Sequence, residues 1–357
     1  MKRITLKEYD LIELISKYRI QIMAFAALWI LLFHTWIPIF ENIPLVSFAE
    51  AFLKRIGYCG VDIFFFLSGM GLVYSINKTT SLKLFYLKRL KRIAVPFLVI
   101  AVIRCIINKW SFLYFLKAVT GYLFWTDSIY ALLWFVPGIC AFYFLFPFYY
   151  KLFNRANNKI LFTFSAIGIW LAVSLLLSGH DESDIWGFTN RIPIFLLGIL
   201  IGYFGYTKTK IKYSRDLVCF FSVLFVLGLI ISYLTNYCEV SILIPVSNCC
   251  FQNILLTVSI SFLLPLFFEI ISIDRFKIHP LKFIGSFTLE LYCVQELISG
   301  LIKDALRTRL DNDLFVNITI VAASVICGFV LYHFNKYLWI LIEKTVKRFK
   351  NQVKQRK

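Results

Sequence analysis

Ile20-Gln-Ile-Met-Ala-Phe-Ala-Ala-Leu-Trp-Ile-Leu-Leu-Phe-His-Thr-Trp-Ile-Pro-Ile-Phe40 is the stretch that decides the fold. It has the length and apolarity of a segment that crosses a bilayer, which needs about 20 such residues. It also carries one imidazole, His34, and ionisable side chains in hydrocarbon are costly enough to point to function. The chain has only four histidines, and an imidazole is the side chain whose ordinary titration lies near neutral pH. Fourteen residues into the run, His34 is expected roughly 21 Å from its start, past the middle of the membrane. The competing reading is a histidine hydrogen-bonded to a neighbouring helix as interhelical glue.

Further runs of the same kind follow. Of the 357 residues 60% are hydrophobic and 16% charged, against about 45–50% and about 25% in soluble domains; mean hydropathy is +0.76. Ten spans are predicted, at 20–40, 57–77, 93–109, 129–150, 159–178, 192–206, 216–235, 250–271, 283–302 and 315–342, with 110–125 a half-span or interfacial helix. The predicted fold class is therefore all-α, a polytopic membrane helix bundle. One domain is expected over 1–357, with an amphipathic cytoplasmic N-terminus at 1–19 and a basic cytoplasmic tail at 343–357. The polar first residues and the length of the first run argue against a cleavable leader.

The net charge of +18 raises the question of nucleic acid, but its distribution answers it. Of the 38 lysines and arginines, 28 fall in the N-terminus, in the loops at 78–92, 151–159, 208–215 and 275–282, and in the tail. This alternation is the positive-inside pattern, which puts both termini in the cytoplasm. No nucleic-acid partner is expected. The nine cysteines are scattered through apolar runs, without metal spacing or a disulfide framework, and read as small buried hydrophobes. No metal is expected.

Several polar residues stand out against this background. Arg89 and Arg92 lie three apart before the third span and share a helix face, so two guanidiniums can grip one phosphate group; plain topology signalling by a Lys/Arg cluster is the simpler alternative. Asp62, near the start of the second span, can orient His34, pair with an arginine, or face water. Ser68 is a weak nucleophile candidate, since most membrane serines bond to a neighbour or to backbone. Arg191 is read as an interfacial arginine of the snorkelling kind. Glu290 and Glu296 in the ninth span require partners, and the position of Glu290, about two turns from the cytoplasmic side, suits an arginine. His180 with Asp181 and Asp184 can hold a cation in an outer loop, but a plain solvated loop is the favoured reading.

In chain order, Leu32-Phe-His34, Gly60-Val-Asp-Ile-Phe-Phe-Phe-Leu-Ser-Gly69, Phe85-Tyr-Leu-Lys-Arg-Leu-Lys-Arg-Ile-Ala-Val-Pro96, Leu133-Trp-Phe-Val-Pro-Gly138, Arg191-Ile-Pro-Ile-Phe-Leu-Leu-Gly198 and Ile284-Gly-Ser-Phe-Thr-Leu-Glu-Leu-Tyr292 resemble the membrane acyltransferase-3 family, bacterial O-acyltransferases of envelope and capsular glycans. The resemblance runs through most of the chain. It implies about ten spans in the cell membrane, cytoplasmic acetyl-CoA as acyl donor, and a glycan or lipid-linked sugar as acceptor. It implies that His34 is catalytic and that Arg89 and Arg92 serve acyl-CoA, with Asp62 and Glu290 as supporting carboxylates. Two positions depart from the family pattern. Met23 stands where many members have an arginine, with Arg19 one turn earlier, and Gln295 stands where many have a histidine. A transporter or flippase for a lipid-linked saccharide is the rival from another class, and an assembly or sensory partner in an envelope complex is a third reading.

Overall fold

The computed structural model describes residues 6–35, 39–40, 42–126, 132–177, 188–238, 240, 251–273, 279–306 and 313–355. The outer-loop residues His180, Asp181 and Asp184, like Cys249 and Cys250, lie outside them.

The first transmembrane helix, α1 (Leu11–Thr35), starts nine residues before the apolar run. The reason is local. The Asp10 carboxylate accepts the backbone N–H of Glu13 at 2.9 Å through one oxygen and that of Ile211 at 2.7 Å through the other. Asp10 is thus the N-cap, and a β-bridge between Asp10 and Lys212 pins the start of the helix to a distant segment. His34 consequently sits in the last turn of α1, at its far end, rather than just past the middle of a span.

The remaining helices are α2 (Pro44–Arg55), α3 (Cys59–Asn77), α4 (Leu82–Ile107), α5 (Phe112–Val119), α6 (Tyr122–Thr126), α7 (Phe135–Arg155), α8 (Lys159–Leu177), α9 (Ile192–Tyr206), α10 (Arg215–Tyr237), α11 (Phe251–Ile273), α12 (His279–Gly285), α13 (Thr288–Leu306) and α14 (Asp313–Gln355). Among the described residues seven helical stretches are long and apolar enough to cross a membrane. The other three predicted spans fall on α4 and α13, which carry charged residues, and on the shorter apolar α9, and these three are not among the seven. Serine N-caps open α4 and α10, where Ser81 and Ser214 accept backbone N–H groups three residues on. The segment expected as a half-span folds as the two short helices α5 and α6.

Helices α3 and α9 make the most extensive contact in the bundle, and small residues permit it. A Cβ added at Gly202 would lie 2.6 Å from the Met70 carbonyl oxygen, and one at Gly198 would collide with that of Phe66; only hydrogen fits where two backbones approach this closely. Helix α1 is central, packing against α3, α11, α12 and α13. At 43 residues, about 65 Å, α14 outruns the bilayer and carries the basic tail. The seven described cysteines are free, and only Cys59 and Cys293 are buried. The expectation of mostly buried cysteines therefore fails among the described residues: Cys105 and Cys327 are half-buried and Cys140, Cys219 and Cys238 are exposed on the outside of the bundle.

Candidate active site

The most deeply buried charge is the Glu290 carboxylate, in the first turn of α13, with its side chain 0% exposed. Arg92 of α4 meets it with both terminal nitrogens, Nη1 to Oε1 and Nη2 to Oε2, each at 3.2 Å. Asn335 of α14 donates to Oε1 at 3.1 Å. One carboxylate thereby ties three helices together, and its partner is an arginine, as its depth in the span required. The guanidinium of Arg92 is 42% exposed, so it is held by Glu290 without being sealed off. One turn earlier, the Arg89 guanidinium lies 3.7 Å from the Phe85 ring centroid and donates to the Phe85 carbonyl at 2.8 Å. Arg89 and Arg92 thus sit one turn apart on α4, each oriented by a fixed partner.

Arg92 opens onto a small internal cavity of about 90 Å3, lined also by Met23, Ser68, Tyr143, Thr288 and Tyr292. Ser68 hydrogen-bonds with the buried Tyr143, which lies within electrostatic reach of Arg89 and Arg19. Arg19 reaches inward from α1 and donates to the Leu67 carbonyl at 3.1 Å. Met23, one turn on, occupies the cavity wall, while Arg19 itself is not part of the lining.

From Met23 to His34 is eleven residues of continuous helix, roughly 16 Å. At that far end α13 grips α1. The His34 carbonyl accepts from Ser299 Oγ at 3.3 Å and Lys303 Nζ at 2.9 Å. The half-buried imidazole packs edge-on against Phe33, with ring centroids 5.1 Å apart, and Glu296 and Lys303 lie within electrostatic reach of it. Glu296 in turn forms an ion pair with Arg104 at 3.2 Å. The sequence marks Glu296 as needing a partner but does not place it beside His34, because nothing local relates the last turn of α1 to the middle of α13. Arg104, counted from the sequence as a loop charge, lies inside the last turn of α4.

Asp62 is not beside the histidine. It is 1% exposed and pairs with Arg191 Nε at 3.1 Å, and Arg191 lies 5.1 Å from the Trp134 ring centroid. Arg191 is thus turned into the bundle at the start of α9 rather than snorkelling. The alternatives open for Asp62 resolve to an arginine partner, and Asp62 and Glu290 both act as arginine anchors.

A family model described as an acyltransferase domain, that of the acyltransferase-3 family, matches residues 22–333. No curated protein and no solved structure matches the chain.

Proposed function

The chain belongs to the acyltransferase-3 family and is a multi-pass membrane acyltransferase; from that premise we propose that it moves an acetyl group from cytoplasmic acetyl-CoA to a hydroxyl of an envelope, capsular or exopolysaccharide sugar. The observation that carries the proposal is the Arg92–Glu290 pair, buried on the Glu290 side and opening onto a cavity on the Arg92 side, with His34 eleven residues along α1 from the Met23 wall of that cavity.

In this reading the chain is oriented with both termini in the cytoplasm of the cell membrane, and Arg89 and Arg92 bind the phosphates of the donor. Glu290 holds Arg92 in a fork whose remaining N–H groups face outward. The pantetheine arm extends toward His34, across the roughly 16 Å that separates it from Met23. There the imidazole accepts the proton of a sugar hydroxyl while its oxygen attacks the thioester carbonyl. The C–O bond forms, the C–S bond breaks, and CoA leaves as the thiolate and takes up a proton. A covalent acyl-histidine is the alternative route through the same residue.

The test uses acetyl-CoA radiolabelled in its acetyl group, added to inverted membrane vesicles carrying wild type or His34→Ala. Label in the glycan with wild type and its loss with the variant support the proposal. Equal labelling removes His34 from the chemistry. Absence of label with wild type, with other acyl donors failing too, returns the chain to the transporter reading.

A further inference from the structure

At the far end of the bundle a second cavity opens between the last turns of α4 and α13, the helix that also holds the His34 carbonyl. Its volume is about 210 Å3, and its walls include Arg104, Asn108, Glu296, Gly300 and Asp304. We propose that this cavity, on the Glu296–Gly300–Asp304 face of α13, is the acceptor subsite and holds a single uncharged sugar ring next to His34. The inference rests on the acyl-transfer reading given above and adds to it the place and chemical class of the acceptor.

Position is the first argument. Successive residues of a helix advance about 100°, so Glu296, Gly300 and Asp304 form one stripe along α13, and Ser299 and Lys303 form the adjacent stripe. The adjacent stripe holds the His34 carbonyl. Glu296 stands at the border, within electrostatic reach of the imidazole and in the cavity wall. A hydroxyl bound in the cavity is thereby delivered to the histidine. Along α4 the cavity lies about 18 Å beyond Arg92, twelve residues at 1.5 Å each, so donor and acceptor enter from opposite ends.

Chemistry is the second argument. The walls offer a guanidinium, an amide and two carboxylates. They can donate to and accept from hydroxyl groups, each of which both donates and accepts. Two acids against one arginine disfavour an anionic ligand, and Ile107, Leu297 and Leu301 complete the lining, so polar groups stand beside apolar surface as a sugar ring's edge and face require. Arg104 Nη2 is paired with Glu296, so the guanidinium is held in a fixed position at the wall. Size is the third argument. The cavity is smaller than the ~300–1,000 Å3 of a drug-sized pocket and equals about seven water volumes, which is the scale of one ring. Gly300 leaves the floor open, since a Cβ added there would meet no atom within 4 Å.

That open floor supplies the experiment. Full-length wild type, Gly300→Phe and Gly168→Phe are compared in inverted vesicles with labelled acetyl-CoA as probe, reading both its binding and its transfer into membrane glycan. Gly168 is likewise a helical glycine with nothing near its Cβ, on α8 and away from the cavity, so Gly168→Phe is expected to match wild type. Gly300→Phe is expected to bind acetyl-CoA within twofold of wild type and to transfer at least tenfold less. Transfer by Gly300→Phe at the wild-type rate overturns the proposal. If Gly300→Phe loses donor binding as well, the near-isosteric Asp304→Asn decides. Retained binding with at least threefold slower transfer upholds the subsite, and unchanged transfer overturns it. A wild type that neither binds nor uses acetyl-CoA sinks the acyl-transfer reading itself, an outcome separate from any difference among the variants.

Discussion

Arg92 and Glu290 behave as one unit at the scale of single residues, and their variants should show it. Truncating either leaves the other without its fork partner, so Arg92→Ala and Glu290→Ala are each expected to weaken acetyl-CoA binding about tenfold, ~1.4 kcal/mol. The double variant should be little worse than either single one, because residues in one ion-pair network are not additive. Titration of labelled acetyl-CoA onto purified protein in nanodiscs measures this, and additive losses would separate the two residues. Glu296→Gln removes a charge from beside His34 while keeping its shape. An interaction of about 1.4 kcal/mol in the transition state is worth about tenfold in rate, so transfer is expected to slow about tenfold with donor affinity unchanged. Arg89 and Arg92 stood out only by their spacing within a basic cluster, whereas His34 and Glu290 could be singled out in the sequence because an ionisable group in an apolar run is conspicuous, and the Glu290 partner could be expected to be an arginine. Glu296 was conspicuous for the same reason, yet its neighbour was not, because the contact joins residues 34 and 296 and no periodicity connects them.

Two devices at the scale of elements position α1 and α3. The start of α1 depends on Asp10 and on Tyr213, whose fully buried hydroxyl donates to the Phe262 carbonyl at 2.5 Å. Burial pushes that hydroxyl's pKa up, so it stays a donor throughout the physiological range. Tyr213→Phe leaves the ring but strips the carbonyl of its partner, and is expected to cost about 1–2 kcal/mol, read as earlier thermal unfolding in nanodiscs. The α3–α9 crossing depends on Gly198. Gly198→Leu would force backbone apart, with an expected loss of about 1–3 kcal/mol or more, whereas Gly168→Leu should leave the unfolding temperature unchanged. The apolar windows located α3, α9 and α10 within a few residues, because hydrophobic length is itself the signal. They misplaced the start of α1, because a capping carboxylate followed by a mixed polar turn carries little hydropathy.

For the whole molecule, the reading proposed above assigns the donor to the Arg92–Glu290 end of the bundle and the acceptor to the His34 end. The orientation proposed above gives a direct prediction. In inverted vesicles an impermeant maleimide should label a cysteine introduced at Lys208, and it should label one introduced at Asn108 only in right-side-out vesicles; the reverse pattern would invert the bundle. By itself the sequence determined the all-helical membrane class, most of the spans, and the residues whose charge is too costly in lipid to be incidental. These are properties of composition and local pattern, and they do not depend on which helices touch. Only the tertiary structure decided the pairings. It gave Arg92 to Glu290, turned Arg191 inward to Asp62, moved His34 to a helix end, and set Glu296 beside it. Each pairing is fixed by packing between segments tens to hundreds of residues apart, where shape and close backbone approach choose the neighbour.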